Sequence, residues 1–175
     1  KPPNGLFPSV DTSPVLRNSW DNFANTARPF RNAVSGNGAM GALSVRDTVR
    51  ATSGGTGAAN VWVDYGRPSK RGRVIFGDVV PYGEGWRTGA NAATQLRTDK
   101  SLDFGGVVVN PGTYSVWTLP TAQGWTLILN SQSGQWGTEH DASKDVYRIP
   151  LTVEALPDVV ERFTINVMPR DGGGV

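Results

Sequence analysis

From Asn60 onward, apolar and polar residues alternate in short runs. The odd positions of Val61-Trp62-Val63-Asp64-Tyr65 share one face, and Tyr114-Ser115-Val116-Trp117-Thr118-Leu119 divides between two faces in the same way, because successive side chains of a strand point to opposite sides of a sheet. Asn110-Pro111-Gly112 is a turn signal: proline presets φ, and glycine accepts the positive φ that follows. The spacing predicts a hairpin between residues 106–109 and 113–119. A second hairpin follows across Thr121-Ala122-Gln123-Gly124 to residues 125–130, so that three strands form a meander. Tyr147, Ile149, Leu151 and Val153 make one apolar face of the next strand, and Phe163, Ile165 and Val167 make that of the last. Their neighbours are mostly polar, so each strand should bury one side. Strands at this spacing predict an all-β fold, an antiparallel β-sandwich over residues 59–175.

Residues 1–58 differ. No period of 2 or 3.6 is sustained there, and Phe7, Trp20, Phe23 and Phe30 are scattered among Pro, Asn, Ser and Gly. The segment reads as an irregular N-terminal arm. A short helix is expected over 16–27, where Ser19 or Asp21 can cap and Trp20, Phe23 and Ala27 share a face. A strand is expected over 42–51. The glycine-rich turn at 53–57 is expected to act as a hinge between arm and core.

Composition agrees with many turns and short elements, since 22 Gly and 12 Pro accompany only 38% apolar residues. A chain of 175 residues is long enough to bury a core without disulfides or a structural metal. The net charge of +2 implies no nucleic-acid partner. With no Cys, thiol catalysis and thiolate metal sites are excluded. No run approaches the ~18 apolar residues of a membrane span. The chain opens Lys-Pro-Pro-Asn-Gly rather than with Met, which reads as a processed terminus left by signal-peptide removal, and it stops in a glycine-rich turn as though another strand should follow. The expected location is periplasmic or extracellular.

Among motifs, Gly36-x-Gly38-x-x-Gly41 has dinucleotide-binding spacing but no apolar strand before it and a poor helix after it, so it reads as a loop. His140 is the single histidine, and no G-x-S-x-G elbow is present. Glu139, His140, Asp141 and Asp145 lie close in sequence but match no metal-loop spacing; no catalytic residue, metal or cofactor is expected. Arg67-Pro68-Ser69-Lys70-Arg71-Gly72-Arg73 is the densest basic run, suited to a carboxylate, a phosphate or an anionic partner surface, or simply a solvated turn. Tyr82-Gly83-Glu84-Gly85-Trp86-Arg87-Thr88-Gly89-Ala90-Asn91 combines rings, a cation, a hydroxyl and an amide with several glycines, a mixture able to line a concave polar site or to satisfy an irregular loop internally.

At these residues the chain resembles a bacterial family catalogued as domain of unknown function 2911. The resemblance runs through Val63-Asp64-Tyr65-Gly66-Arg67-Pro68-Ser69-Lys70-Arg71-Gly72-Arg73, Ile75-Phe76-Gly77, Val80-Pro81-Tyr82-Gly83 and Trp86-Arg87-Thr88-Gly89-Ala90-Asn91. It continues through Pro111-Gly112-Thr113-Tyr114-Ser115, Trp125-Thr126-Leu127-Ile128-Leu129-Asn130, Gln135-Trp136-Gly137 and Glu161-Arg162-Phe163-Thr164-Ile165, over about residues 59–168. It implies an exported β-rich domain, usually behind a signal peptide, and supplies no reaction or ligand. Arg67, Arg73, Trp86, Arg87, Asn91 and Trp136 occupy its signature positions. The arm is longer than the family's lead-in, and the final hairpin is cut short.

Two functions follow as expectations. One is a non-catalytic extracytoplasmic subunit docking on protein partners in an envelope or membrane complex, such as a respiratory or photosynthetic one, with Phe7, Trp20, Phe23 and Phe30 as anchors of a clamping arm. The alternative is a periplasmic binding protein for a small molecule or glycan, or a hydrolase, with Arg67, Arg87, Asn91 and Trp136 around one pocket.

Overall fold

The computed structural model describes residues 43–53, 57–169 and 175, together with the backbone of a two-residue strand at 19–20. Ten strands are described: β1 (Ser19–Trp20), β2 (Val45–Thr52), β3 (Asn60–Arg67), β4 (Thr94–Thr98), β5 (Leu102–Asp103), β6 (Val108–Val109), β7 (Gly112–Pro120), β8 (Trp125–Asn130), β9 (Asp145–Leu151) and β10 (Phe163–Thr164). Six of them form one antiparallel sheet in the order β2-β3-β4-β7-β8-β9, while β1-β10 and β5-β6 are separate two-stranded ladders. The chain is all-β, as the alternation predicts. One 3-10 turn, Ala142–Lys144, is the single helical element among the described residues.

The large sheet buries the face that the sequence pattern marks. Val61, Val63 and Tyr65 of β3 are fully buried, as are Leu127 and Leu129 of β8 and Ile149 of β9. The opposing layer comes from short ladders and loops rather than a second large sheet: Ile75, Val80, Phe104, Val109, Phe163, Ile165 and Val167 close over that face. At ~25 cal/mol per Å², each buried aliphatic or aromatic side chain contributes about 1.5–3 kcal/mol, so this layer carries much of the stability although little of it is regular. The other face holds a smaller cluster of Ala93, Trp117 and Ile128 with Leu119 against it.

Several local expectations are realised and several are corrected. The hairpin across residues 121–124 forms, with Pro120 opposite Trp125, but the meander is β7-β8-β9 and not the one expected from residues 106–109, 113–119 and 125–130. The hairpin expected across Asn110-Pro111-Gly112 does not form. β6 turns away to pair with β5, because β7 already has both edges occupied by β4 and β8. Val153 lies beyond the end of β9 and is exposed. The strand expected over 42–51 forms as β2, paired along its whole length with β3, so the main sheet takes in residues ahead of position 59. Residues 53–57, expected as a hinge, connect the paired strands β2 and β3, and 54–56 of them lie outside the described residues; Ser53 N–H donates to Ala59 O at 2.9 Å. The helix expected over 16–27 gives way at Ser19–Trp20 to a strand on β10. The rest of that helix, the Gly36–Gly38–Gly41 loop and the anchors Phe7, Phe23 and Phe30 lie outside the described residues, as does the side chain of Trp20.

Candidate functional site

The basic run leaves β3 at Arg67, whose side chain is turned inward. Its Nε donates to Phe163 O at 3.1 Å, Nη2 to Thr164 Oγ1 at 2.9 Å and Nη1 to Asp47 Oδ2 at 3.2 Å, leaving it 7% exposed. Arg67 therefore ties β3 to β10 and β2. The following residues are held from the outside by Glu161, which accepts Arg71 N–H at 2.8 Å and, through its carbonyl, Lys70 N–H at 2.7 Å. Arg73 curls back over this turn, with Nε on Lys70 O at 3.0 Å and Nη2 on Ser69 O at 2.8 Å. No carboxylate among the described residues pairs with it.

Aromatic packing fixes the next segment. Phe76 meets Trp125 edge to face at 4.7 Å, and Trp86 meets Phe163 at 5.1 Å in the same geometry, the arrangement that ring quadrupoles favour. Trp86 also exchanges backbone hydrogen bonds with Thr118 at 2.7 and 2.8 Å. Its ring is thus half-buried floor rather than a free stacking platform.

Beyond Trp86 the chain is forced through an unusual path. Thr88 and Asn91 have φ of 51° and 65°, and a β-branched residue in the left-handed region is a genuine outlier. Surrounding bonds hold it there. Thr94 Oγ1 donates to Thr88 O at 2.7 Å, Thr88 Oγ1 lies 3.2 Å from Thr118 Oγ1, and Asn91 Nδ2 donates to Ser44 O at 3.2 Å. Arg46, ion-paired to Asp64, reaches Ala92 O at 3.4 Å. Gly66 permits the close approach, since a Cβ there would collide with the carbonyl of Ala90.

These segments enclose a cleft of about 390 Å³ lined by Arg73, Trp86, Arg87 and Asn91, with Glu84 at its wall and Ile75, Val80 and Pro81 as apolar surface. Four of the six signature residues therefore meet at one place. Arg67 does not, being spent on the core. Trp136 does not line it either: it forms an antiparallel bridge with Ala92, and its side chain is 45% exposed.

Arg87 is the member whose chemistry is unfulfilled. Its Nε is buried and has no hydrogen-bond partner, and no acidic side chain among the described residues forms an ion pair with it. Its stem lies over Gly137, whose lack of a side chain makes room for it: a Cβ there would collide with Arg87 Cδ and the backbone oxygen of Asn91. Sequence reading does not reveal Gly137 as part of the site, because its role is the absence of a side chain next to a residue 50 positions away.

Of the acidic and imidazole groups at 139–145, His140 and Asp145 meet while Glu139 and Asp141 serve local turns. Glu139 Oε2 lies 3.4 Å from Trp136 N, and Asp141 Oδ1 caps the 3-10 turn through Ser143 N–H at 3.0 Å. These Ser143 bonds hold the Asp141 carboxyl below its ordinary pKa. His140 stacks on Trp117 at 4.4 Å and places Nε2 2.8 Å from Asp145 Oδ1, which also accepts Asn130 Nδ2 at 2.9 Å. No three such groups converge as a metal site among the described residues. No helix among them is long and apolar enough to cross a membrane.

The family described as "Protein of unknown function (DUF2911)" matches residues 44–174. No curated protein and no solved structure matches the chain. The match covers the six-stranded sheet, β10 and every lining residue of the cleft, and the chain belongs to this family.

Proposed function

We propose that this member of the family is a non-catalytic binding domain that takes a polar small molecule or a glycan unit in the cleft between the 73–91 segment and the start of β2. The observation that carries the reading is the pair of non-glycine left-handed residues at the cleft: Asn91 on its wall, and Thr88 fully buried between the lining residues Arg87 and Gly89. Such conformations cost about 1–3 kcal/mol each and persist where the surroundings over-determine them, typically at ligand sites. Here that constraint brings Arg87 and Asn91 to a concave surface shared with Ser44, Arg73 and Glu84 and with the apolar Ile75, Val80, Pro81 and Trp86, and polar groups set among apolar surface are the usual make-up of a small-molecule site.

A docking role remains a separate proposal. Its anchors lie in the arm, outside the described residues, so the cleft carries the present reading. Placement outside the cytoplasm belongs to the same proposal and draws on the family resemblance alone.

Saturation-transfer difference NMR against neutral and acidic monosaccharides and small organic acids tests the reading. At least one class is expected to receive saturation and to shift the amides of Ala90 and Asn91. A panel that leaves those amides unmoved, with partners instead captured through residues 1–42, would favour docking.

A further inference from the structure

We infer that the cleft is built for an anionic group, with the guanidinium of Arg87 as its seat; this rests on the binding reading above. The lining contains two guanidinium groups, from Arg73 and Arg87, against one carboxylate, that of Glu84. The two arginines differ in kind. Arg73 is exposed and already bonded to two carbonyls of its own turn, whereas Arg87 has a buried Nε with no acceptor. A buried donor without a partner is uncommon in folded proteins and calls for a specific reason. An unpaired guanidinium held partly out of water is costlier still.

The other arginines along this part of the chain show that carboxylates and carbonyls were within reach of the fold. Arg46 has Asp64, and Arg67 has Asp47 together with Phe163 O and Thr164 Oγ1. Arg87 alone among these has a buried Nε without an acceptor, and its stem occupies the space that the missing side chain of Gly137 leaves open. A planar fork whose buried Nε lacks an acceptor and whose stem packs over Gly137 is suited to two-point binding of a carboxylate or a phosphate. The half-buried Trp86 and the apolar residues Ile75 and Val80 beside it provide surface for the uncharged body of the ligand.

The test uses nitrogen-15-labelled protein and follows the Arg87 Nε–H resonance, assigned by its disappearance in Arg87→Met. Methionine keeps an unbranched stem over Gly137, and Arg87→Lys serves as a second variant that keeps the charge without the fork. D-galacturonate and inorganic phosphate are titrated in separate arms against neutral D-galactose. One or other anion is expected to move the Arg87 Nε–H and to bind at least tenfold more tightly than galactose. Arg87→Met is expected to lose that tenfold preference with its unfolding temperature close to that of the wild type, and the stronger arm tells carboxylate from phosphate. If galactose and the anions shift the Ala90 and Asn91 amides equally and Arg87→Met changes nothing, the anion seat is overturned while the binding cleft stands. If none of the probes moves any cleft resonance, both readings fall.

Discussion

Tyr65 and Ile165 bond to each other as two residues of a β-ladder would, although one of them does so with its side chain. The Tyr65 hydroxyl accepts the Ile165 N–H at 3.0 Å and donates to the Ile165 carbonyl at 3.4 Å, with both residues fully buried. β10 ends at Thr164, so without the phenol the next residue would bury two unpaired backbone groups. Tyr65→Phe is therefore expected to destabilise the domain by about 1–3 kcal/mol, the usual consequence of stranding buried polar groups. Urea denaturation of the two proteins checks this, and an unchanged midpoint would mean that water reaches Ile165.

The same pair sets an alkaline limit. Burial raises the Tyr65 pKa, an effect only partly opposed by its bond to Ile165 and by nearby Arg67. A group whose folded pKa is raised contributes fully below its unfolded value of about 10 and loses that contribution as pH climbs through the folded one. The stability advantage of the wild type over Tyr65→Phe should hold constant from about pH 7 to 9 and shrink above about pH 10. Thermal unfolding across that range measures it, and a pH-independent difference would sink the assignment.

How much of this was legible beforehand depends on where each constraint resides. Val61, Val63 and Tyr65 announce their buried face by alternation alone, and so do Tyr147, Ile149 and Leu151, because a two-residue period is a local property. Pairing is not local. Asn110-Pro111-Gly112 is a sound turn signal, yet β6 follows β5 because β4 and β8 have claimed β7. Arg87 and Asn91 could be singled out by residue type. Arg67 looked identical to them in sequence, and only its contacts with Phe163 and Thr164, almost 100 residues away, separate a core tie from a cleft residue.

That separation is itself testable. Arg67→Met removes the partner of Asp47 and the guanidinium bonds to Phe163 O and Thr164 Oγ1. Breaking such a mostly buried set should cost about 2–4 kcal/mol, below the upper range for buried pairs because Asp47 is partly solvated. Ligand affinity at the cleft should stay within about twofold in whatever fraction remains folded, since the Arg67 side chain is spent on β10 and β2 and does not line the cleft. A selective loss of binding without loss of stability would return Arg67 to the site.

Asp145 offers a parallel case on the opposite face of the sheet. It is nearly buried and accepts from His140, Asn130 and Arg148 at 2.8 to 2.9 Å. Asp145→Ala leaves the fully buried Asn130 Nδ2 with its bond to Asp141 O alone and removes the carboxylate that holds His140 on Trp117. A loss of about 2–3 kcal/mol is expected, together with a change in the near-ultraviolet circular dichroism of Trp117. Retention of that signal would show that stacking alone holds the imidazole.

Gly137 tests the cleft through a residue with no chemistry of its own. A methyl group there meets both Arg87 Cδ and the Asn91 backbone oxygen, so Gly137→Ala should cost about 1–3 kcal/mol, as overpacking does. It should also shift the Arg87 Nε–H resonance even without ligand. Gly124→Ala, whose added Cβ meets nothing within 4 Å, is the control and should stay within about 0.5 kcal/mol of wild type. The two collisions can be told apart in an Arg87→Ala background. Removing the arginine stem relieves one of them but leaves the backbone oxygen, so Gly137→Ala should cost less there than in the wild type without becoming neutral. A coupling of more than about 0.5 kcal/mol between the two substitutions is therefore expected. Strict additivity would mean that the stem swings clear of Gly137, and the packing that places Arg87 over this glycine would be lost with it.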